Sequence, residues 1–134
     1  MNVSGIVAKV IAADATAYGL LSTRVYPGVV KQQAGYPAIA VNLILPGPTN
    51  TKTQASDLDI TMVQVDVYGE TYATAAAASS AARTALEYYS GTVTLTGGGT
   101  VDVAHIEYKS ERDGYVERPD IFRRICEYSI AIRR

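Results

Sequence analysis

Few residues in this chain could carry out chemistry. His105 is the single histidine and Cys126 the single cysteine. A zinc site needs several imidazole or thiolate ligands, and a Ser-His-Asp triad would have to rely on one histidine set in the alternating run Val101, Val103, His105. Cys126 alternates with Arg124, Tyr128, Ile130 and Ile132. It therefore reads as a buried, inert thiol, because a reactive cysteine needs a polarised, partly exposed site. Alone it can form no internal disulfide, as expected of a chain made in a reducing compartment. Gly97-Gly98-Gly99 lacks the Gly-x4-Gly-Lys-Ser/Thr and G-x-G-x-x-G patterns that cradle phosphates ahead of a helix. Asp57 with Asp59, or Glu107 with Glu111, could in principle meet a hard cation, but calcium loops space their oxygen ligands more densely around a glycine bend. These carboxylates read as surface groups, so the expectation is no enzyme, no cofactor and no metal.

Charge points the same way. The chain has 12 Lys and Arg against 13 Asp and Glu, a net charge of -1, which gives no general pull toward nucleic acid or an anionic membrane. The late arginines Arg112, Arg118, Arg123, Arg124, Arg133 and Arg134 are interleaved with Glu111, Asp113, Glu117, Asp120 and Glu127. The result is a mixed surface rather than a phosphate track. Ten tyrosines without a tryptophan weakly favour assembly, since tyrosine combines contact area with a polar tip.

The elements that must position these residues follow from periodicity. At 134 residues, 48% hydrophobic and 19% charged, one folded domain over residues 1–134 is expected. The N-terminus has no charged-then-apolar run ending in a small-residue cleavage site, and no stretch nears the roughly 18 apolar residues of a membrane span, so a soluble chain is expected. Val3, Ile6, Val7, Val10 and Ile11 form one stripe of a first helix from Met1 to Leu21, with Asn2 or Ser4 as caps and Gly19 near its stop. Arg24 to Val30 reads as a short edge piece broken by Pro27 and Gly28. Ile39 to Leu45 and Ile60 to Tyr68 read as a long hairpin, with Val63, Val65 and Val67 on its apolar face.

Thr71 caps a helix running to about Tyr89, whose stripe is Ala75, Ala78, Ala82, Leu86 and Tyr89. Thr92 to Thr96 and Thr100 to Tyr108 flank the glycine turn as a second hairpin, and Phe122 to Ile132 closes the chain as a strand. The class is α+β: an antiparallel or mixed sheet with two main helices against it. The two polar stretches left over, Pro46 to Asp57 and Lys109 to Asp120, read as loops outside the core.

Particular words in this layout carry a resemblance: Arg24-Val25-Tyr26-Pro27, then Tyr36-Pro37-Ala38-Ile39 opening a long strand, then Val63-Gln64-Val65-Asp66-Val67-Tyr68-Gly69 running into an Ala-rich helix, and the closing Tyr128-Ser129-Ile130-Ala131-Ile132. As an ordered set over nearly the whole chain they resemble the tail-completion, or tail-terminator, family of long-tailed bacteriophages. The resemblance implies a small virion subunit, made in the host cytoplasm, that forms a homo-oligomeric, hexameric ring. The ring would cap the tail tube, stop its polymerisation and present the surface that joins the head. Its partners would be other copies of the chain, the tube protein and a head-closure or neck protein, with DNA passing through without specific binding and no membrane involved. Thr49, Asn50, Lys52, Gln54 and Asp57 in one polar stretch, with Lys109, Arg112, Tyr115 and Arg118 in the other, are the interface candidates. The alternatives are another neck component, such as a head-closure or adaptor subunit, or a small module binding nucleic acid or protein.

Overall fold

The computed structural model describes residues 3–28, 30, 35–45, 58–95, 97–114 and 120–133. The elements, in chain order, are α1 (Val3–Ala13), α2 (Ala15–Leu21), β1 (Val25–Pro27), β2 (Ala38–Leu45), β3 (Leu58–Gly69), α3 (Tyr72–Leu86), β4 (Gly91–Thr94), β5 (Thr100–Gly114) and β6 (Phe122–Arg133). The strands form one sheet in the order β1-β2-β3-β6-β5-β4. It is mixed, because β1 runs parallel to β2 while the other neighbours are antiparallel.

One face of the sheet carries the core. Ile39 and Val41 from β2, Val63, Val65 and Val67 from β3, Val103 and Ile106 from β5, and Cys126, Tyr128, Ile130 and Ile132 from β6 are buried there against the helices. The period-two alternation in each strand selects this face, and burying it is the main favourable contribution to folding. The helices answer with their own stripes: Ile6, Val7, Val10 and Ile11 from α1, and Ala78, Ala81, Ala82 and Leu86 from α3. Alanine along α3 lets its backbone approach the sheet closely.

Three expectations are corrected. The first helix is two helices, bent by 97° at Asp14. Asp14 adopts an extended conformation (φ -79°, ψ 127°), and its side chain accepts a hydrogen bond from Ala17 N at 3.0 Å, so it starts a new helix within an unbroken apolar sequence. Ser4 therefore lies inside α1, and Gly19 inside α2 rather than at a stop. The stop is Ser22, at φ 51°, whose N–H donates to Tyr18 O. Second, the last long helix ends at Leu86, and Tyr88, at φ 65°, turns the chain so that Tyr88 and Tyr89 pair with Ile106 beside β5. Third, Lys109 to Gly114 is strand, continuing β5 beside β6, where a loop was expected.

The quoted sequence words have local causes. The Arg24 and Tyr36-Pro37 segments meet: Ile39 N donates to Arg24 O, the Arg24 guanidinium donates to Pro37 O at 2.9 Å, and Val25 lies opposite Ile39. Thr71 caps α3 as expected, its hydroxyl accepting from Thr74 N at 3.0 Å. The glycine turn between β4 and β5 uses positive φ at Gly98 (95°) and Gly99 (82°), closed by Leu95 N donating to Gly99 O. Among the described residues no single helix is long and apolar enough to cross a membrane.

Candidate interaction surfaces

The helices leave the other sheet face without a helical layer. On it, charges sit in cross-strand pairs, Arg123 with Asp66 at 3.2 Å, Arg112 with Glu127 at 3.7 Å and Arg133 with Asp102 at 3.3 Å, and in one pair within β5, Lys109 with Glu107 at 3.2 Å. Gln64 donates to Asp66 at 2.9 Å and Ser110 to Glu127 at 2.8 Å. Register places the partners that β5 and β6 share, because it sets Ser110 opposite Glu127, Arg112 diagonal to Glu127 and opposite Ile125, and Asp102 opposite Arg133.

A second polar cluster lies between α3 and the sheet. The Ser79 hydroxyl of α3 donates to Glu111 Oε1, Arg124 Nε donates to the same oxygen at 3.2 Å, and the Cys126 thiol reaches it at 3.6 Å. Arg124 also bonds the Tyr72 hydroxyl at 2.8 Å and pairs with Asp113 at 3.4 Å. Burial alone would raise the Glu111 carboxyl, but the bonds from Ser79 and Arg124, with the guanidinium charge, outweigh it and hold it below the ordinary Glu value of 4.5. A folded-state value below the unfolded one contributes stability that is present above pH 4.5 and lost as pH falls through the lowered value. Melting temperatures taken from pH 7 to pH 3 should therefore fall more steeply below pH 4.5 for the wild type than for Glu111→Gln; parallel curves would refute the assignment.

The cluster separates two carboxylates that the sequence spaces like partners. The register shifts between Tyr108 and Ser110, an irregularity at Lys109. The bulge sends Glu107 to the helix-free face beside Lys109 while Glu111 faces α3, so the two do not converge on a cation. Asp57 lies outside the described residues. Among the described residues no group of three or more His, Cys, Asp or Glu is placed to hold a metal ion. His105 is exposed on β5, in a shallow groove lined by Glu87, Tyr88, Ile106, Glu107 and Tyr108.

Cys126 is 1% exposed, and burial pushes its thiol up to about 11, so the inert reading holds. A maleimide at pH 8 should leave the folded protein unmodified and label it fully in denaturant. Rapid labelling of the folded protein would contradict the packing.

Of the interface candidates, Lys109 and Arg112 lie on β5 within ion pairs. Thr49, Asn50, Lys52, Gln54, Asp57, Tyr115 and Arg118 lie outside the described residues. The strands that flank the two groups are informative. Leu58 opens β3 opposite Arg133, whereas Gly114 and Phe122 flank the β5–β6 connection opposite Arg123 and Gly69. The two connections thus open at opposite ends of β3, whose 12 residues span about 35 Å. Exposed apolar side chains mark both ends: Leu43, Ile44 and Ile60 at one, and at the other Tyr72 and Phe122, stacked edge to face at 6.2 Å. Sequence reasoning missed these patches and the Ser79–Glu111–Arg124 cluster, since both depend on register and helix placement.

A family model described as tail completion protein gp17 matches residues 6–133. The chain belongs to that family. Its place is the tail or neck of a virion, as a structural component. Among curated protein sequences none matches it. The fold is similar to a chain from the virion of a native gene transfer agent particle, with a TM-score of 0.72 and 19% identity, covering 99% of this chain and 96% of that one.

Proposed function

We propose that this tail completion protein assembles with copies of itself, as a hexameric ring, on the end of the tail tube. There it stops tube growth and presents the surface that receives the head side of the virion. On this reading it acts as one domain, with no cofactor and no enzymatic step. The observation that carries the reading is the family match over residues 6–133. The geometry supports it, because the two connections holding the interface candidates open at opposite ends of the subunit. A subunit seated between a tube and a neck needs two separate contact regions rather than one.

Light scattering across concentration, with negative-stain images of the same samples and a tube-capping assay, tests it. Closed rings of about six copies, formed free or on tubes, are expected. Binding to filled heads without any affinity for tubes would replace this reading with a head-closure role.

A further inference from the structure

We infer that the outer edge of β4 takes an extended strand from a second copy of this chain, supplied by that copy's polar stretch between β2 and β3. This names the contact between ring subunits and so rests on the tail-end reading above. The sheet ends in two free edges, β1 and β4, and they are not alike. β1 has 3 residues and ends in Pro27, which offers no N–H and so guards the edge against pairing. β4, Gly91-Thr92-Val93-Thr94, carries neither proline nor charge, and its β-branched residues suit a strand.

The backbone of β4 sets which groups are on offer. Leu95 N donates to Gly99 O across the hairpin at 3.0 Å, and along an antiparallel strand successive residues turn their N–H and C=O alternately toward and away from the partner. Thr94 and Thr92 therefore direct theirs away from β5, at the edge where the sheet stops. Beside that edge α1 forms a wall, leaving a groove of about 310 Å³ lined by Lys9, Val10, Ala13, Tyr89 and Val93. An extended chain suits such a place, with ladder bonds to Thr92 and Thr94 and alternate side chains in the groove.

Register and chemistry name the occupant. Leu58 lies opposite Arg133, Arg133 opposite Asp102 and Asp102 opposite Thr92, so the β2–β3 connection opens at the level of β4, three strands away in the same subunit. β1 covers only Ile39 to Val41 of β2 and leaves that end clear. A ring closes through head-to-tail contacts between two different surfaces. With the sheet edges as those surfaces, the β2–β3 connection of one copy stands beside the β4 edge of the next. Its 12 residues reach about 20 Å out and back. Within them Thr49, Thr51 and Thr53 alternate with Asn50, Lys52 and Gln54, a period of two that sets the threonines over the groove and the longer polar side chains beside Thr92 and Thr94.

Cross-linking between copies tests it; the buried Cys126 stays unlabelled. Lys52→Cys and Thr94→Cys proteins, mixed under ring-forming conditions with or without tail tubes and treated with a short bis-maleimide, should give a covalent dimer of one variant with the other. In parallel, Thr94→Pro removes an N–H that β5 does not use, so it should leave the melting temperature near that of the wild type and weaken association by about tenfold or more. Thr94→Val keeps the N–H and should assemble as the wild type does. Thr92→Lys with Thr94→Lys keeps every backbone bond and should also block rings, by placing charge on the edge. Dimers of Thr94→Cys with itself, a link formed only within one chain carrying both cysteines, or rings that persist with Thr94→Pro and with the double lysine variant overturn the inference and leave the ring reading standing. Wild-type protein that forms no ring, free or on tubes, would instead remove the reading on which it rests.

Discussion

Replacing Tyr128 by alanine is expected to destabilise the protein by about 3–5 kcal/mol, the range for emptying an aromatic site in a packed core. Tyr128 heads the largest fully buried side chains and packs edge to face on Tyr108, with centroids 5.8 Å apart. Its hydroxyl has no hydrogen-bond partner among the described residues, and burial keeps its ionisation well above the ordinary tyrosine value. Losing the ring and losing the hydroxyl should therefore act in opposite directions. Tyr128→Phe keeps the packing and removes an unsatisfied polar atom, so it should be neutral or up to about 1 kcal/mol more stable. Urea unfolding of the three proteins decides this; a Phe variant weakened by more than about 1 kcal/mol would mean that the hydroxyl has a partner.

Gly69→Ala should cost about 1–3 kcal/mol, as overpacked sites do, and its fault lies in the backbone. A Cβ at position 69 would stand 2.7 Å from Ala75 N and 3.0 Å from Ala75 Cα, so the first turn of α3 would have to move. Backbone cannot give way as a flexible side chain does. The substitution should also weaken the Thr71 cap, whose bond to Thr74 N depends on where that turn sits. A fall in melting temperature is the first readout. Slower exchange protection at the amides of residues 74–78, read by hydrogen exchange, should not occur; loss of protection there is the expected result. An unchanged melting temperature would show that the strand-to-helix junction is looser than its contacts indicate.

Much of this architecture was legible because apolar spacing and local chemistry agreed. Val63, Val65 and Val67 marked β3, alanines marked α3, and Thr71 and the three glycines marked a cap and a turn. The misses have physical reasons. The stripe from Val3 to Leu21 is continuous, and only the Asp14 carboxylate, by capping Ala17, breaks it into two helices. Lys109 to Gly114 is polar on both faces, so no hydrophobic period betrays the strand; pairing with β6 imposes it. The candidate surfaces were the least legible. Ion pairs such as Arg112 with Glu127 join residues 15 positions apart, and which charge meets which depends on a one-residue bulge at Lys109 that composition does not reveal.

The place of β6 in the sheet bears on how the molecule is built. The two hairpins, β2 with β3 and β4 with β5, are each local in sequence, yet neither touches the other as a ladder; β6 lies between them and bonds along the full length of β3. During synthesis both hairpins emerge before residues 122–133 exist to join them. Until then β3 and β5 each present a long unpaired edge, the kind of template on which nascent chains stick to one another. Closure then joins residues up to 75 positions apart, as with Leu58 and Arg133, a slow step by the usual relation between contact separation and folding rate. The hazard for this protein is therefore one of timing: yield should depend on how quickly the last strand reaches its slot, and weaker induction, which lowers the concentration of unfinished chains, should favour soluble subunits over aggregates.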